Sequence, residues 1–244
     1  MTNEYTALSK FYEEIIYDEN YHNWMQFILN TVKTNTLGSK GLDVACGSGI
    51  LTRLLKKSGF DITGIDISQD MLNVAQQKSY QEKLNIKYLK EDMKCLKSLD
   101  KVDFITVIND GLNYVEGKYL QKTFKNFYNS LKKGGVLIFD VSSPYKLKNI
   151  LGNNAFGDDG ENLSYLWLNS YDENTLSVDI SLSIFEKCGE MYKRYNESQI
   201  QYAHSKETLL EKLQEVGFNL VSITDDFGNP LKENTQRILF VLKK

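Results

Sequence analysis

An α/β fold with a mostly parallel sheet and a small antiparallel insert is predicted by three observations. Over residues 42–141, short apolar runs alternate with segments of helical spacing, the order of parallel strands joined by covering helices. The first run leads into a glycine loop, Asp43-Val44-Ala45-Cys46-Gly47-Ser48-Gly49, and out into a helical pattern with Ile50, Leu51, Leu54 and Leu55 on one face. Over residues 163–202 the apolar spacing changes to an aromatic-rich period of two, which is strand alternation.

Two helical segments precede the sheet, the first in the run 11–18 and the second with Trp24, Phe27, Ile28 and Val32 on one face. Leu42, Val44 and Ala45 form the first strand. The second, Ile62-Thr63-Gly64-Ile65, ends at Asp66, and Ser68 is placed to cap a helix carrying Met71, Leu72 and Ala75. The third, Ile86-Lys87-Tyr88-Leu89, is followed by Glu91-Asp92-Met93, and the fourth, over 102–108, by Asn109-Asp110-Gly111. Leu120, Phe124, Phe127, Tyr128 and Leu131 recur at helical spacing, with Gly134-Gly135 as the stop before a fifth strand over 136–141. Three antiparallel strands are expected next, carrying Tyr165 and Trp167, then Leu176 to Ile184, then Met191, Tyr192 and Tyr195. Their turns are expected at Asp172-Glu173-Asn174 and Lys187-Cys188-Gly189. A helix capped by Ser205 and ended by Gly217 follows, then strands near 219–224 and 237–242. This divides the chain into a core, 1–143 with 205–244, and an insert, 144–204, expected to act as a lid over a substrate.

Composition narrows the function classes. The 244 residues are 41% hydrophobic and 25% charged, as in ordinary globular proteins. A net charge of −3 gives no overall basic footprint for nucleic acid. No apolar run approaches the roughly 18 residues of a membrane span, and the first ten residues lack the layout of a signal peptide. Cys46, Cys95 and Cys188 are widely spaced and odd in number. They suggest neither a disulfide framework nor a metal site, and a cytoplasmic setting fits.

A strand, a glycine turn and a helix start are the parts of a nucleotide site. Gly47 and Gly49 would let a ligand approach the backbone. The dinucleotide fingerprint needs a third glycine, and Thr52 stands there. Asp66 lies 17 residues after Gly49, where an acid accepts from ribose hydroxyls. Singly, a strand-end acid is more often a turn residue than a ligand. Four such features in order, each at a carboxyl strand end, make a site.

The pattern Asp-x-x-x-Gly-x-Gly at Asp43, Gly47 and Gly49 resembles motif I of the class I S-adenosylmethionine-dependent methyltransferases. The resemblance covers roughly 36–143 and 205–244, and implies a seven-stranded Rossmann-like sheet whose last strand is antiparallel. It further implies S-adenosylmethionine as cofactor, held by Asp43, Ala45, Cys46, Gly47, Gly49, Asp66, Ile67 and Met71. Asp92 would accept from the adenine amino group, Met93 would pack on the base, and Asn109 would lie near the methionine moiety. Tyr12 and Tyr21 belong to an amino-terminal extension like that of small bacterial methyltransferases, where an aromatic lies over the cofactor.

Methyl transfer from a sulfonium needs positioning rather than a covalent enzyme nucleophile. His204 is the candidate for a general base, although a lone His is more often structural. The Pro-Cys pattern of cytosine-C5 enzymes and the Asn/Asp-Pro-Pro-aromatic motif of amide and exocyclic-amine enzymes are missing. Those two substrate classes lose weight. The aromatic insert resembles the lids of small-molecule methyltransferases, which implies a small-molecule acceptor, with nucleic acid and protein acceptors left open. Two rivals are a nicotinamide-dependent oxidoreductase, favoured by Gly47-x-Gly49 and Asp66, and a non-catalytic S-adenosylmethionine-binding module.

Overall fold

The computed structural model describes residues 7–15, 20–96 and 100–244. The helical run expected over 11–18 is seen as α1 (Tyr12–Ile15), and its residues 16–18, like residues 1–6, lie outside the described residues. The main sheet holds β1 (Lys40–Val44), β2 (Asp61–Asp66), β3 (Lys87–Lys90), β4 (Val102–Val107), β5 (Leu131–Ser142), β10 (Asn219–Thr224) and β11 (Arg237–Lys243). Their order is β10-β11-β5-β4-β1-β2-β3. β1 to β5 are parallel to one another, while β11 runs antiparallel to both β5 and β10. From β1 the chain winds outward to β3, then returns to β4 on the other side of β1. The loops leaving β1 and β4 thus diverge and open a crevice at the carboxyl edge.

Helices cover both faces, and the strands are apolar on both sides as a result. In β5, Val136 and Ile138 turn to α2 (Tyr21–Asn35) and α3 (Ile50–Lys57), joining Trp24, Ile28, Val32 and Leu55. Leu137 and Phe139 turn the other way, to Phe124 and Phe127 of α5 (Leu120–Ser130) and Leu209 and Leu213 of α6 (Lys206–Val216). Local chemistry sets the ends. The Ser68 hydroxyl accepts from the Met71 N–H to open α4 (Gln69–Gln81), and Ser205 does the same for α6 through Thr208. Gly217 ends α6 with a φ of 105°, a conformation suited to glycine. α5 stops at Ser130, before the two glycines read as its end, because Leu131 already pairs with Val102 of β4.

The insert departs from the expected three strands. It is a four-stranded antiparallel sheet in the order β6 (Ala155–Asp159), β7 (Leu163–Asp172), β8 (Ser177–Cys188), β9 (Met191–Tyr202). All five residues of β6 are exposed, so no buried–exposed alternation marks it. The hairpin turns lie one or two residues later than expected, at 173–176 and 189–190. Along β8, Val178, Ile180, Leu182 and Ile184 are buried. Leu182 and Ile184 pack on Leu8 and Phe11 from the amino-terminal segment, and Val178 and Ile180 on Leu147. The insert therefore rests on the start of the chain and on the turn after β5. No helix among the described residues is long and apolar enough to cross a membrane.

Candidate active site

A cavity of about 740 Å³ occupies the crevice at the carboxyl edge. The β1 loop contributes Asp43, Ala45, Cys46 and Gly47, and the turn after β2 contributes Asp66, Ile67 and Met71. Asp92 and Met93 follow β3, Asn109 follows β4, and Tyr12 and Tyr21 close the cavity from α1 and α2. Of the residues singled out in the sequence, Gly49 and His204 are absent from this lining.

The loop is held from beneath by carboxylates. Asp43 is buried, and its two oxygens accept from Thr52 Oγ1 at 2.5 Å and Thr106 Oγ1 at 2.8 Å. Thr52, which stands where a dinucleotide loop has its third glycine, is thus a donor that fixes the acid under the loop. Burial pushes the Asp43 carboxyl up to about 6, with both hydroxyls pulling the other way. Asp66 accepts from Gly47 N at 2.8 Å and from Ser68 N at 2.9 Å, tying the glycine loop to the start of α4. Burial raises its pKa, and these backbone donors oppose the rise. The N–H of Cys46 goes to Ile65 O and that of Gly49 to Cys46 O. The loop N–H groups of Cys46, Gly47 and Gly49 are all taken within the protein.

The two glycines have different duties. Gly47 has a φ of 54°, and a Cβ built on it meets nothing within 4 Å. Gly49, the residue before α3, has a φ of 75°, and a Cβ there would lie 2.7 Å from the Tyr88 hydroxyl. Gly49 is therefore required by packing, and Gly47 by backbone shape beside open space. The Cys46 thiol is pushed well up by burial and by the nearby Asp66 and Asp43 charges, which disfavours the nucleophilic thiolate.

Next to Asn109 the wall is a charge network. Asn109 and Asp110 both adopt left-handed backbone, with φ of 60° and 61°, and such residues cluster at functional sites. Asn109 Nδ2 donates to the Tyr21 hydroxyl at 2.8 Å, and Arg237 donates to Asn109 Oδ1 at 3.0 Å and to Asp140 Oδ2 at 2.8 Å. Burial raises the Asp140 carboxyl against the pull of Arg237. At Asp110 burial acts in the same direction, but Arg237 and Lys146 win and hold it below its ordinary value. On the other flank, Glu13 of α1 accepts from Ser48 Oγ at 2.8 Å and pairs with Lys78 and with Arg53, the last at 3.5 Å. Glu13 therefore pins α1, and with it Tyr12, over the glycine loop.

A second cavity of about 480 Å³ lies between the main sheet and the insert. Tyr12, Asn109 and Tyr114 line both cavities. Asp110, Lys146, Trp167, Gln199 and Gln201 belong to the second alone. Sequence reasoning singled out none of Tyr114, Asp110, Lys146, Gln199, Gln201 or Arg237 as functional. His204 lines neither cavity: it is buried with its Nε2 unpaired, and burial lowers its pKa to about 4, against the opposing pull of the Val115 and Leu112 backbone. A buried imidazole outside both linings is poorly placed to act as a base.

The arrangement has relatives. The sequence profile of a methyltransferase domain family matches residues 42–135. YqeM of Bacillus subtilis (strain 168), a protein with a methyltransferase name, is 33% identical over 98% of this chain and 97% of its own. The crystal structure of an S-adenosylmethionine-dependent methyltransferase from Clostridium acetobutylicum ATCC 824 is also 33% identical, with a TM-score of 0.89 and 98% of each chain covered. A ubiquinone biosynthesis O-methyltransferase of Coxiella burnetii is 37% identical over 43% of this chain and 44% of its own. The chain belongs to the class I S-adenosylmethionine-dependent methyltransferases, and it is an enzyme of that class.

Proposed function

We propose that S-adenosylmethionine binds in the 740 Å³ cavity and that the acceptor is a small molecule seated under the insert. The observation that carries the first half is the loop itself. The free space over Gly47 is a cradle that a side chain would fill, and Asp66 beside it is fixed by two backbone donors. Each Asp66 oxygen keeps a further lone pair, which suits the two ribose hydroxyls. Asp92, Met93 and Ile67 flank the adenine, and Asn109, Tyr21 and Tyr12 the methionine end. Gly49 supports the cofactor indirectly, by shaping the loop.

A bound S-adenosylmethionine would supply a methyl on a sulfonium, whose transfer to an acceptor lone pair would leave the methyl–sulfur pair on sulfur and release the acceptor's proton to solvent. The chain's part is to hold the two reactants in line and keep water out, which can be worth on the order of seven kcal/mol or more. Tyr12, Asn109 and Tyr114 stand where the two cavities adjoin, so the methyl end of one ligand would face the other there. A small acceptor is favoured by the walled space between the sheets, and by the Coxiella relative, whose name places it in ubiquinone biosynthesis.

The nicotinamide alternative loses on donors and charge. A pyrophosphate at the loop needs free N–H groups, whereas those of Cys46, Gly47 and Gly49 are used internally, with two carboxylates beneath. Melting curves separate the two readings, because a ligand that binds only the folded state raises its melting temperature. S-adenosylmethionine and its demethylated product should raise the melting temperature by several degrees at millimolar concentration, and NAD should leave it unchanged. A shift with NAD alone would reject the proposal.

A further inference from the structure

The 480 Å³ cavity carries unmet hydrogen-bonding capacity of a definite kind. Gln199 Nε2, Gln201 Oε1 and Asp110 Oδ1 are buried without a partner, and all three residues are on its lining. Most buried polar atoms in folded proteins are paired, so three orphans around one space point to something that fills it. Tyr114 fixes what kind. Its hydroxyl donates to Gln199 Oε1 at 3.0 Å and accepts from Gln201 Nε2 at 3.1 Å. A phenol has one proton, so turning both carboxamides over would still leave one amide N–H₂ and one amide oxygen unmet. With the Asp110 oxygen, the orphaned atoms are two oxygens and one amide nitrogen, and the Lys146 ammonium adds N–H donors to the same wall.

The charges point the same way. Lys146 Nζ lies 3.6 Å from Asp110 Oδ2, and Arg237 is bonded to Asp140. A third carboxylate on the wall, Glu197, accepts from the backbone N–H of Ala7 and Leu8. Both cations are thus answered by acids, and an anionic ligand would meet no unmatched positive charge. Trp167, Ile180 and Leu182 supply apolar surface beside these polar groups. The volume is within the roughly 300–1,000 Å³ of small-molecule sites.

We infer that this cavity takes the methyl acceptor, and that the acceptor is a small neutral or cationic compound that carries hydroxyl or amine groups beside an apolar face rather than a carboxylate or phosphate. The inference rests on the proposed cofactor site next door, and its test separates the two. Calorimetry first establishes that the full chain binds S-adenosylhomocysteine. Saturation-transfer NMR on that complex then compares glucosamine and trans-4-aminocyclohexanol with glucuronate and cyclohexanecarboxylate.

The amine and hydroxyl probes should give clear transfer and the two acids little. The signal should fall at least fivefold in a Gln199→Leu/Gln201→Leu double variant and in Asp110→Asn, which keeps the side chain's size. Unchanged S-adenosylhomocysteine affinity in each variant would show that its fold is intact. Equal or stronger transfer from the acids, retention of the signal in both variants, or no transfer from any of the four probes would overturn the inference while leaving the cofactor site standing. Failure to bind S-adenosylhomocysteine at all would overturn both.

Discussion

The two cavities share a wall but are built in different ways. The larger one is made by loops leaving successive strands, β1 to β4, and its shape is set by backbone. Loop N–H groups close on neighbouring carbonyls and on Asp66, and Asp43 sits buried beneath. The smaller one gathers Leu8, Asn109, Lys146, Trp167, Gln199 and Arg237 from across the whole chain, and side chains alone give it its character. A backbone-built site tolerates little change and suits a ligand common to a family. A side-chain-built site can change residue by residue, which suits the variable partner of the reaction.

The largest effect should come from the loop. Gly47→Val puts a branched side chain into the space over the loop and a β-branched residue at a φ of 54°. The backbone penalty is about 1–2 kcal/mol, which a folded domain can absorb, while S-adenosylmethionine affinity should fall more than a hundredfold. Calorimetry on a variant with a normal circular dichroism spectrum checks this, and near-normal binding would make the loop a mere turn.

Next in size is the pH response of the acid under the loop. Burial holds Asp43 at about 6 in the folded chain, against an ordinary 3.8. A raised carboxyl pKa means that the folded state binds the extra proton. The stability this gives is complete below about pH 3.8 and is lost as pH rises through 6. The difference corresponds to about 3 kcal/mol at roughly 1.4 kcal/mol per pH unit. Asp43→Asn carries no such dependence. Urea denaturation should show the wild type losing about 3 kcal/mol relative to that variant between pH 3.5 and 7.5, and a constant difference would mean that Asp43 is not desolvated. The smallest effect is expected across the shared wall. Trp167→Ala empties part of the second cavity and should change S-adenosylmethionine affinity by less than about threefold, under 0.7 kcal/mol. A tenfold loss would merge the two cavities into one site.

The same contrast governs what the sequence could tell. The strand-end residues of the first cavity were legible because each sits at the end of an apolar run, and strand order alone brings those ends together. Even there, Thr52 could be seen only as a missing glycine; its bond to Asp43 needed three dimensions. The second cavity left no local trace. Gln199 and Gln201 look like ordinary polar positions on an alternating strand, and their link to Tyr114 depends on how the insert docks. His204 is similar, since a histidine beside an insert gives no sign that it will lie buried outside both linings. β6 escaped because both its faces are exposed, and β5 begins among lysines and glycines that resemble a turn.

The central claim is that the acid ending β2 holds the cofactor's ribose, and Asp66→Ala tests it most directly. A hydrogen bond to a charged group is worth about 1.5–3 kcal/mol, so losing the carboxylate should weaken S-adenosylmethionine binding at least tenfold in calorimetry while the chain stays folded. Unchanged affinity in a folded Asp66→Ala variant would contradict the account.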